Sequence, residues 1–397
     1  MINNREKVNY RIMTAALLAF MAVSWALFVF LNGFVCLDAM GHSAIVGYTL
    51  RGYDAYKLIG EEALLPEVGA IPPYFSTVPW ALAFGAIFYP GYLPFKFVKI
   101  YITALHFIVL ALMMLIVAKK TKNSSAKSLT MFLFAVLGNF SFMYSLHFGN
   151  CGGVVSMLIV CAVLLVDDKP VLAGLIMGVA LLKPQISAVF CLLWLIEKKI
   201  KPLVIAGLFT VAGWAASSLF NHTDPLTLLK EMLGASTASE LQYLGLLSPL
   251  RFAGVSSTVI LAANMIIGCA FAVILYMQLK KRGLTEQSLF LRCLPAACAS
   301  CVWIYKNGTD YLMLIVAVFA LLEMLSLITD GKRFFALMVM TVYVQLSRAA
   351  VSFVSYAFPD SPLLRDLAKS ADGFLILAVG VGVCALASSV YKKKIAE

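Results

Sequence analysis

The sequence predicts an all-α polytopic membrane protein, and three observations carry that prediction. Of 397 residues, 62% are apolar, and the mean hydropathy is +0.92. Only 13% are charged, where a soluble domain carries roughly a quarter. Apolar runs long enough to cross a ~30 Å hydrocarbon core as helices recur from one end of the chain to the other. No shift in composition marks off a soluble domain, so residues 1–397 read as a single integral membrane domain. The net charge of +11 does not indicate nucleic acid, because no basic stripe interleaves with aromatics.

In chain order, "MINNREKVNYR" precedes an apolar run over residues 12–33. That run is too long for a signal-peptide core and lacks a small-residue cleavage site, so it reads as an uncleaved first helix with its amino end inside. Nineteen of the 31 Lys and Arg residues fall in the amino terminus, in short segments at 119–127, 167–169, 197–201, 280–283 and 330–333, and in the tail "YKKKIAE". Placing these inside gives about twelve crossings with both termini cytoplasmic. The outer side then receives a long first loop over 34–93, turns near 147–150 and 305–311, and loops over 221–254 and 359–372. Within the first loop, "STVPWALAFGAIFYP" (76–90) is apolar but short and flanked by prolines. A full span there would break the charge pattern, so it reads as a re-entrant or interfacial helix. Asp167 and Asp168 read as a solvated inner turn.

Residues 170–197 predict a tight helical hairpin. In "GVALLKPQISAVF", Pro184 ends one apolar helix and starts the next. Climbing from Pro170 at ~1.5 Å per residue, Lys183 stands roughly 20 Å above the inner face. A lysine beside a helix amino terminus is an anion site. A lysine at a helix end is also explained by the helix dipole or by snorkelling, but ionisable groups inside membranes are functional by default. Arg348, about fourteen residues into its helix, reaches a similar depth. Two cations at one depth point to a phosphate or carboxylate partner, in preference to pairing with Glu323.

Other polar groups collect on the same side: Asp38 and His42 after the first helix, His147 and Asn150 in "SLHFGNCGG", and Lys306, Asn307 and Asp310 in "YKNGTDY". Locally, Asp38 reads as the cap of a helix over 39–50, and His42 as a solvated interface residue. The nine cysteines read as small buried apolar residues. That reading is preferred to a metal or redox role for Cys298 and Cys301 and to a Cys36–Cys151 disulfide.

Three stretches carry a family resemblance. Asp38 is followed by "RGYDAYKL", which contains Tyr56. The Pro-rich "IPPYFSTVPWALAFGAIFYP" comes next. The last is the run from "HFGNCGG" to the hairpin "LLKPQ", which contains Gln185. Together they resemble the GT-C glycosyltransferases, specifically the bacterial family 87 group that includes polyprenol-phosphate-mannose-dependent α-mannosyltransferases. The likeness covers roughly Asp38 to Gly207. Departures are Gly149-Asn150-Cys151-Gly152 where the family often has Gly-Gln-x-Asn, and a late turn "YKNGTDY" without histidine. No D-x-D follows the first helix, so no metal is expected.

The resemblance implies a GT-C fold whose outer first loop contains short re-entrant helices and supplies the catalytic base, here Asp38. It implies an inverting transferase that moves a monosaccharide, a hexose such as mannose, from a polyprenyl-phosphate carrier to a glycolipid or cell-envelope glycan. The lipid-linked donor is a substrate, so no cofactor is expected. Lys183 and Arg348 would meet the donor phosphate. His147, Asn150, Lys306, Asp310, Gln185 and Tyr56 would contact substrates. The setting implied is a bacterial plasma membrane, with the active site on the outer face and membrane lipids as partners. The alternatives are a lipid-linked sugar flippase or a polysaccharide-assembly subunit. A secondary transporter would put its polar site near the midplane of an internal repeat, and no repeat is visible.

Overall fold

The computed structural model describes residues 4–30, 33, 35–72, 77–121, 126–239, 245–304, 308–328, 330–346 and 349–396. Among them the chain is helical. An isolated bridge pairs Ile59 with Ile71.

The first helix, α1 (Asn4–Phe30), is followed by α2 (Leu37–Leu50), the short α3 (Ala81–Phe84) and α4 (Phe95–Lys120). Next come α5 (Ala126–Leu137), α6 (Phe140–Phe148), α7 (Gly152–Leu165), α8 (Pro170–Ala180), α9 (Pro184–Ile196) and α10 (Ile200–Asn221). The second half holds α11 (Pro225–Ser239), α12 (Ser257–Lys281), α13 (Leu289–Ser300), α14 (Ile315–Met324), α15 (Gly331–Gln345), α16 (Ala349–Ala357) and α17 (Pro362–Ala396).

Among the described residues, five helices are long and apolar enough to cross a membrane: α1, α4, α10, α12 and α17. The pair α5 and α6, bent by 52°, makes a sixth if counted as one span. The expected count of about twelve includes helices of 10–17 residues, such as α7, α8, α9 and α13. At ~1.5 Å per residue these are shorter than a ~30 Å core.

The two helix types differ in where they sit. The long helices turn bulky apolar side chains outward: Ile100, Ile108 and Leu115 on α4, and Leu208 and Val211 on α10, are exposed. The short α7 is apolar all round and almost wholly buried, the pattern of a central helix. It packs on α4, α8 and the tight turn Gly308–Leu314, while α13 packs on α9, α12 and α14. The hairpin of α8 and α9 forms where the sequence places it, with a proline opening each helix. At Gly174 a Cβ would lie 2.7 Å from the Pro202 carbonyl oxygen, so glycine is what lets α8 and α10 meet so closely.

The described residues of the first loop pack against the bundle. Gly91 lies so close to α2 that a Cβ on it would sit 2.4 Å from the Gly47 nitrogen. The Arg51 guanidinium joins the two segments by donating to the Gly47 and Gly91 carbonyls at 2.9 and 3.2 Å. The segment expected to be re-entrant contains α3, which packs on α2 and α10.

At the end of the bundle where α7 finishes and α8 starts, Asp167 is not merely solvated. It pairs with Lys199 at 2.5 Å and Arg292 at 2.7 Å. Arg292 also grips both carboxylate oxygens of Glu197, and the Tyr276 hydroxyl donates to that carboxylate at 2.9 Å. This network ties both inter-helix turns to α12 and α13.

Candidate active site

Four segments distant in sequence meet at one polar cluster. Asp38 comes from the first turn of α2, Asn150 from the turn between α6 and α7, Lys183 from the tip between α8 and α9, and Asp310 from the turn 308–314.

Asn150 is the hub. Its side-chain nitrogen donates to Asp38 Oδ2 at 2.7 Å. Its side-chain oxygen accepts from Lys183 Nζ at 2.7 Å, from the Gly152 main-chain N–H at 2.8 Å and from the Thr309 hydroxyl at 3.0 Å. An oxygen facing three donors, one of them cationic, fixes which way the amide points. Reversal would set an NH2 group against an ammonium and remove the donor to Asp38. Lys183 Nζ also lies 2.5 Å from Asp310 Oδ1. Thr309 and Asp310 are 0% exposed, Asn150 4% and Lys183 8%.

The local sequence accounts for this convergence. Asn139 caps α6 by accepting from the Ser141 N–H at 2.9 Å. Gly149, at φ +64°, closes the helix in the left-handed region. A Cβ there would meet Ala39 Cβ at 2.8 Å, so this turn presses on the start of α2. A Cβ on Gly152 would sit 2.7 Å from Asp310 Oδ1 and 2.8 Å from both Lys183 Nζ and Thr309 Oγ1. Glycine therefore leaves the volume that the ion pair fills. The hairpin tip is clamped by two indoles: Trp80 Nε1 donates to the Leu181 carbonyl at 2.7 Å, and Trp303 Nε1 to the Gln185 carbonyl at 2.8 Å.

Asp38 does not cap a helix. α2 begins one residue before it, at Leu37, behind a Cys36 N-cap with no side-chain cap bond. Its carboxylate reaches across to Asn150 instead, and among the described residues no donor reaches its other oxygen. Asp38 is half-buried. Burial raises its carboxyl above the ordinary aspartate value, with a smaller contribution from Asp310, while the Asn150 hydrogen bond and the Lys183 charge pull it down. His42, one turn along, stacks on Tyr89 with ring centroids 5.0 Å apart and 17° between planes. It is half-buried rather than solvated, and burial, then Lys183, pushes its imidazole down to about 3.

The remaining candidates fall elsewhere. His147 holds the α1–α2 junction: its ring donates to the Gly33 carbonyl at 2.6 Å, and its own carbonyl accepts from the Cys36 N–H at 2.8 Å. The buried Tyr56 donates its hydroxyl to the Thr77 carbonyl. Gln185 is held through its main chain. Arg348 and Lys306 lie outside the described residues. Cys36 and Cys151 are both free thiols. Among the described residues, no group of three His, Cys, Asp or Glu side chains could hold a metal.

Sequence reasoning missed Thr309, Tyr89 and the two tryptophans. The Tyr89 hydroxyl accepts the Cys151 N–H at 2.7 Å. The adjacent glycines 152 and 153 were the available signal, since they mark a close approach without naming what approaches.

A helical bundle with several apolar membrane-length helices around a half-buried carboxylate, an amide and a buried lysine–aspartate pair belongs among integral membrane proteins with a buried polar cluster. The family profile of glycosyltransferase family 87 matches residues 72–344, and the chain belongs to that family. Asn150, Lys183 and Asp310 lie within the match, and Asp38 precedes it. Comparisons with curated proteins and with solved structures returned no match.

Proposed function

We propose that the protein is an inverting glycosyltransferase that moves a hexose, such as mannose, from a polyprenyl-phosphate carrier to a glycolipid or glycan acceptor on the outer face of a bacterial plasma membrane. Membership of family 87 supports glycosyl transfer. The observation that carries the assignment of the base is the asymmetry of Asp38: one oxygen is held by Asn150, and the other has no donor among the described residues. An acceptor hydroxyl at that second oxygen gives up its proton to Asp38 as it attacks the anomeric carbon. The carrier phosphate leaves from the opposite face of the sugar.

The leaving phosphate needs cations, and Lys183 is already neutralised by Asp310. Lys96 and Lys99, in the first turn of α4, have no carboxylate partner among the described residues and lie over the rings of Phe97 and Phe95. Burial raises the Cys36 thiol, two residues before Asp38, and the Lys99 charge offsets part of that rise. These lysines fit the phosphate better than Lys183 does.

The test is transfer of labelled sugar from a panel of polyprenyl-phosphate sugars, by wild type and Asp38→Asn in nanodiscs with a bacterial glycolipid extract. Asp38→Asn should lower turnover by at least about a hundredfold. Wild-type turnover in that variant would end the assignment of Asp38. Carrier movement between leaflets of liposomes without transfer would favour the flippase reading.

A further inference from the structure

Lys183 and Asp310 are both largely removed from solvent and joined to each other at 2.5 Å. A group that serves a substrate needs an open coordination direction, and this pair is closed on several sides. Trp80 and Trp303 fasten the hairpin tip on either side of Lys183. The single Thr309 hydroxyl proton lies within reach of both Asn150 Oδ1 and Asp310 Oδ1, at 3.0 and 3.2 Å. Gly152 leaves no free space against the pair. What the pair does reach is the Asn150 oxygen, and the nitrogen of the same amide reaches Asp38.

We propose that Lys183, Asp310 and Asn150 are positioning residues: the buried ion pair fixes the orientation of the Asn150 amide, and that amide aims the second oxygen of Asp38 at the acceptor and sets its basicity. The inference rests on the reading of Asp38 as the base. It moves Lys183 and Asp310 from ligands of substrate to supports of the side chain that does the chemistry. The amide couples the two sides, because its oxygen faces cationic and hydroxyl donors and its nitrogen faces a carboxylate.

The titratable groups around Asp38 are Cys36 and His42 on its own segment, Lys99 on α4, Tyr89 after α3, His147 on α6, Cys151 beside Asn150, and the Lys183–Asp310 pair. Of these side chains and Asn150, only the Asn150 amide hydrogen-bonds the Asp38 carboxylate. Its loss removes a donor to the charged form, which shifts a carboxyl upward.

The experiment reads Asp38 directly. Full-length protein in nanodiscs is labelled with dicyclohexylcarbodiimide, which attacks protonated carboxyls, across a pH series, and modification of Asp38 is followed by peptide mass. In Asn150→Leu the labelling midpoint should move to higher pH by at least about half a unit. The double variant Lys183→Met/Asp310→Leu, which removes both buried charges together, should move it in the same direction. In the transfer assay both variants should lose turnover at least tenfold while the donor KM stays within about twofold.

Midpoints that do not move, or a donor KM raised tenfold at unchanged kcat, would overturn the proposal and return these side chains to substrate binding. Asn150→Leu keeps both charged side chains, so it still judges whether the amide sets the basicity of Asp38 if the double variant fails to fold. If wild type transfers no sugar, the functional reading fails, and the labelling midpoints still judge the positioning claim.

Discussion

Replacing Lys183 with methionine should be among the most destabilising single changes in the chain, and replacing Asp310 as well should restore most of the loss. The argument starts from burial. The Lys183 side chain is 10% exposed and that of Asp310 0%. Exposed ion pairs contribute about 0–1 kcal/mol, so the surface figure does not apply here. Removing one member of a buried pair strands the other charge and costs about 3–5 kcal/mol. Asp310 would lose its ammonium partner, and Asn150 would lose the cation on its oxygen. Replacing both partners with apolar side chains is often neutral or stabilising, by about 1–4 kcal/mol. The double-mutant cycle should therefore give a coupling of roughly 3 kcal/mol or more between the two positions. The assay is unfolding of the four proteins in one detergent, by denaturant titration with an intrinsic-tryptophan readout. A Lys183→Met variant as stable as wild type, or a double variant no better than the single, would refute the claim that the two buried charges depend on each other.

Gly152→Ala should cost about 1–3 kcal/mol by overpacking, since its Cβ would enter contacts at 2.7–2.8 Å with Asp310, Lys183 and Thr309. Gly207→Ala on α10 meets nothing within 4 Å and should be neutral or stabilising by up to about 1 kcal/mol; thermal melts of the two variants check the contrast. The pH profile should show an acid limb set by Asp38, whose carboxyl burial raises. The base works only when ionised, so kcat/KM should fall as pH drops through that raised value. The linked effect on stability has the opposite sign: a raised carboxyl favours the folded state at low pH, and that contribution is lost as pH rises through the folded value. His42 is held neutral, so no limb near pH 6.5 should respond to His42→Gln. Lys99→Met and Lys96→Met should raise the donor KM more than they lower kcat, as measured with a short-chain polyprenyl-phosphate sugar in neutral lipid. An unchanged KM there would leave the two lysines as anchors in the membrane interface.

Much of the fold was legible because the bilayer imposes few, strong rules. The helical class follows from composition, and the hairpin from Pro170 and Pro184, which can open a helix but not continue one. The long lipid-facing helices were plain from hydropathy. The short buried helices were harder to read. A sequence such as "GGVVSMLIVCAVLL" is uniformly apolar both in a span facing lipid and in a helix surrounded by other helices, so hydropathy counts it as a crossing either way. Its 14 residues make α7 shorter than the hydrocarbon core. The packing of the first loop was hidden in a related way. Its prolines and short apolar runs suggest an interfacial excursion, and nothing local shows that Gly47 and Gly91 let it pack so closely.

The site was legible in its members and not in its wiring, and the reason is sequence distance. Asp38 and Lys183 each stand out as charged groups beside apolar runs, and Asn150 and Asp310 sit in short polar turns between such runs, which is why the sequence pattern finds them. Their partners lie far along the chain: Asp38 is 112 residues from Asn150, and Lys183 is 127 residues from Asp310. Read alone, a lysine at a hairpin tip calls for an anion, and a substrate phosphate fits that call. The same physics is met more cheaply by an anion the protein already carries, because a lysine left waiting in a low-dielectric bundle would pay its desolvation cost whenever the site was empty. A pair that stays satisfied throughout the catalytic cycle can hold a neighbouring amide still, whereas a cation that binds and releases phosphate must change its partners at every turnover. The buried pair is therefore suited to orientation. Cations nearer to water, such as the exposed Lys96 and the half-buried Lys99 at the start of α4, are better suited to a ligand that comes and goes.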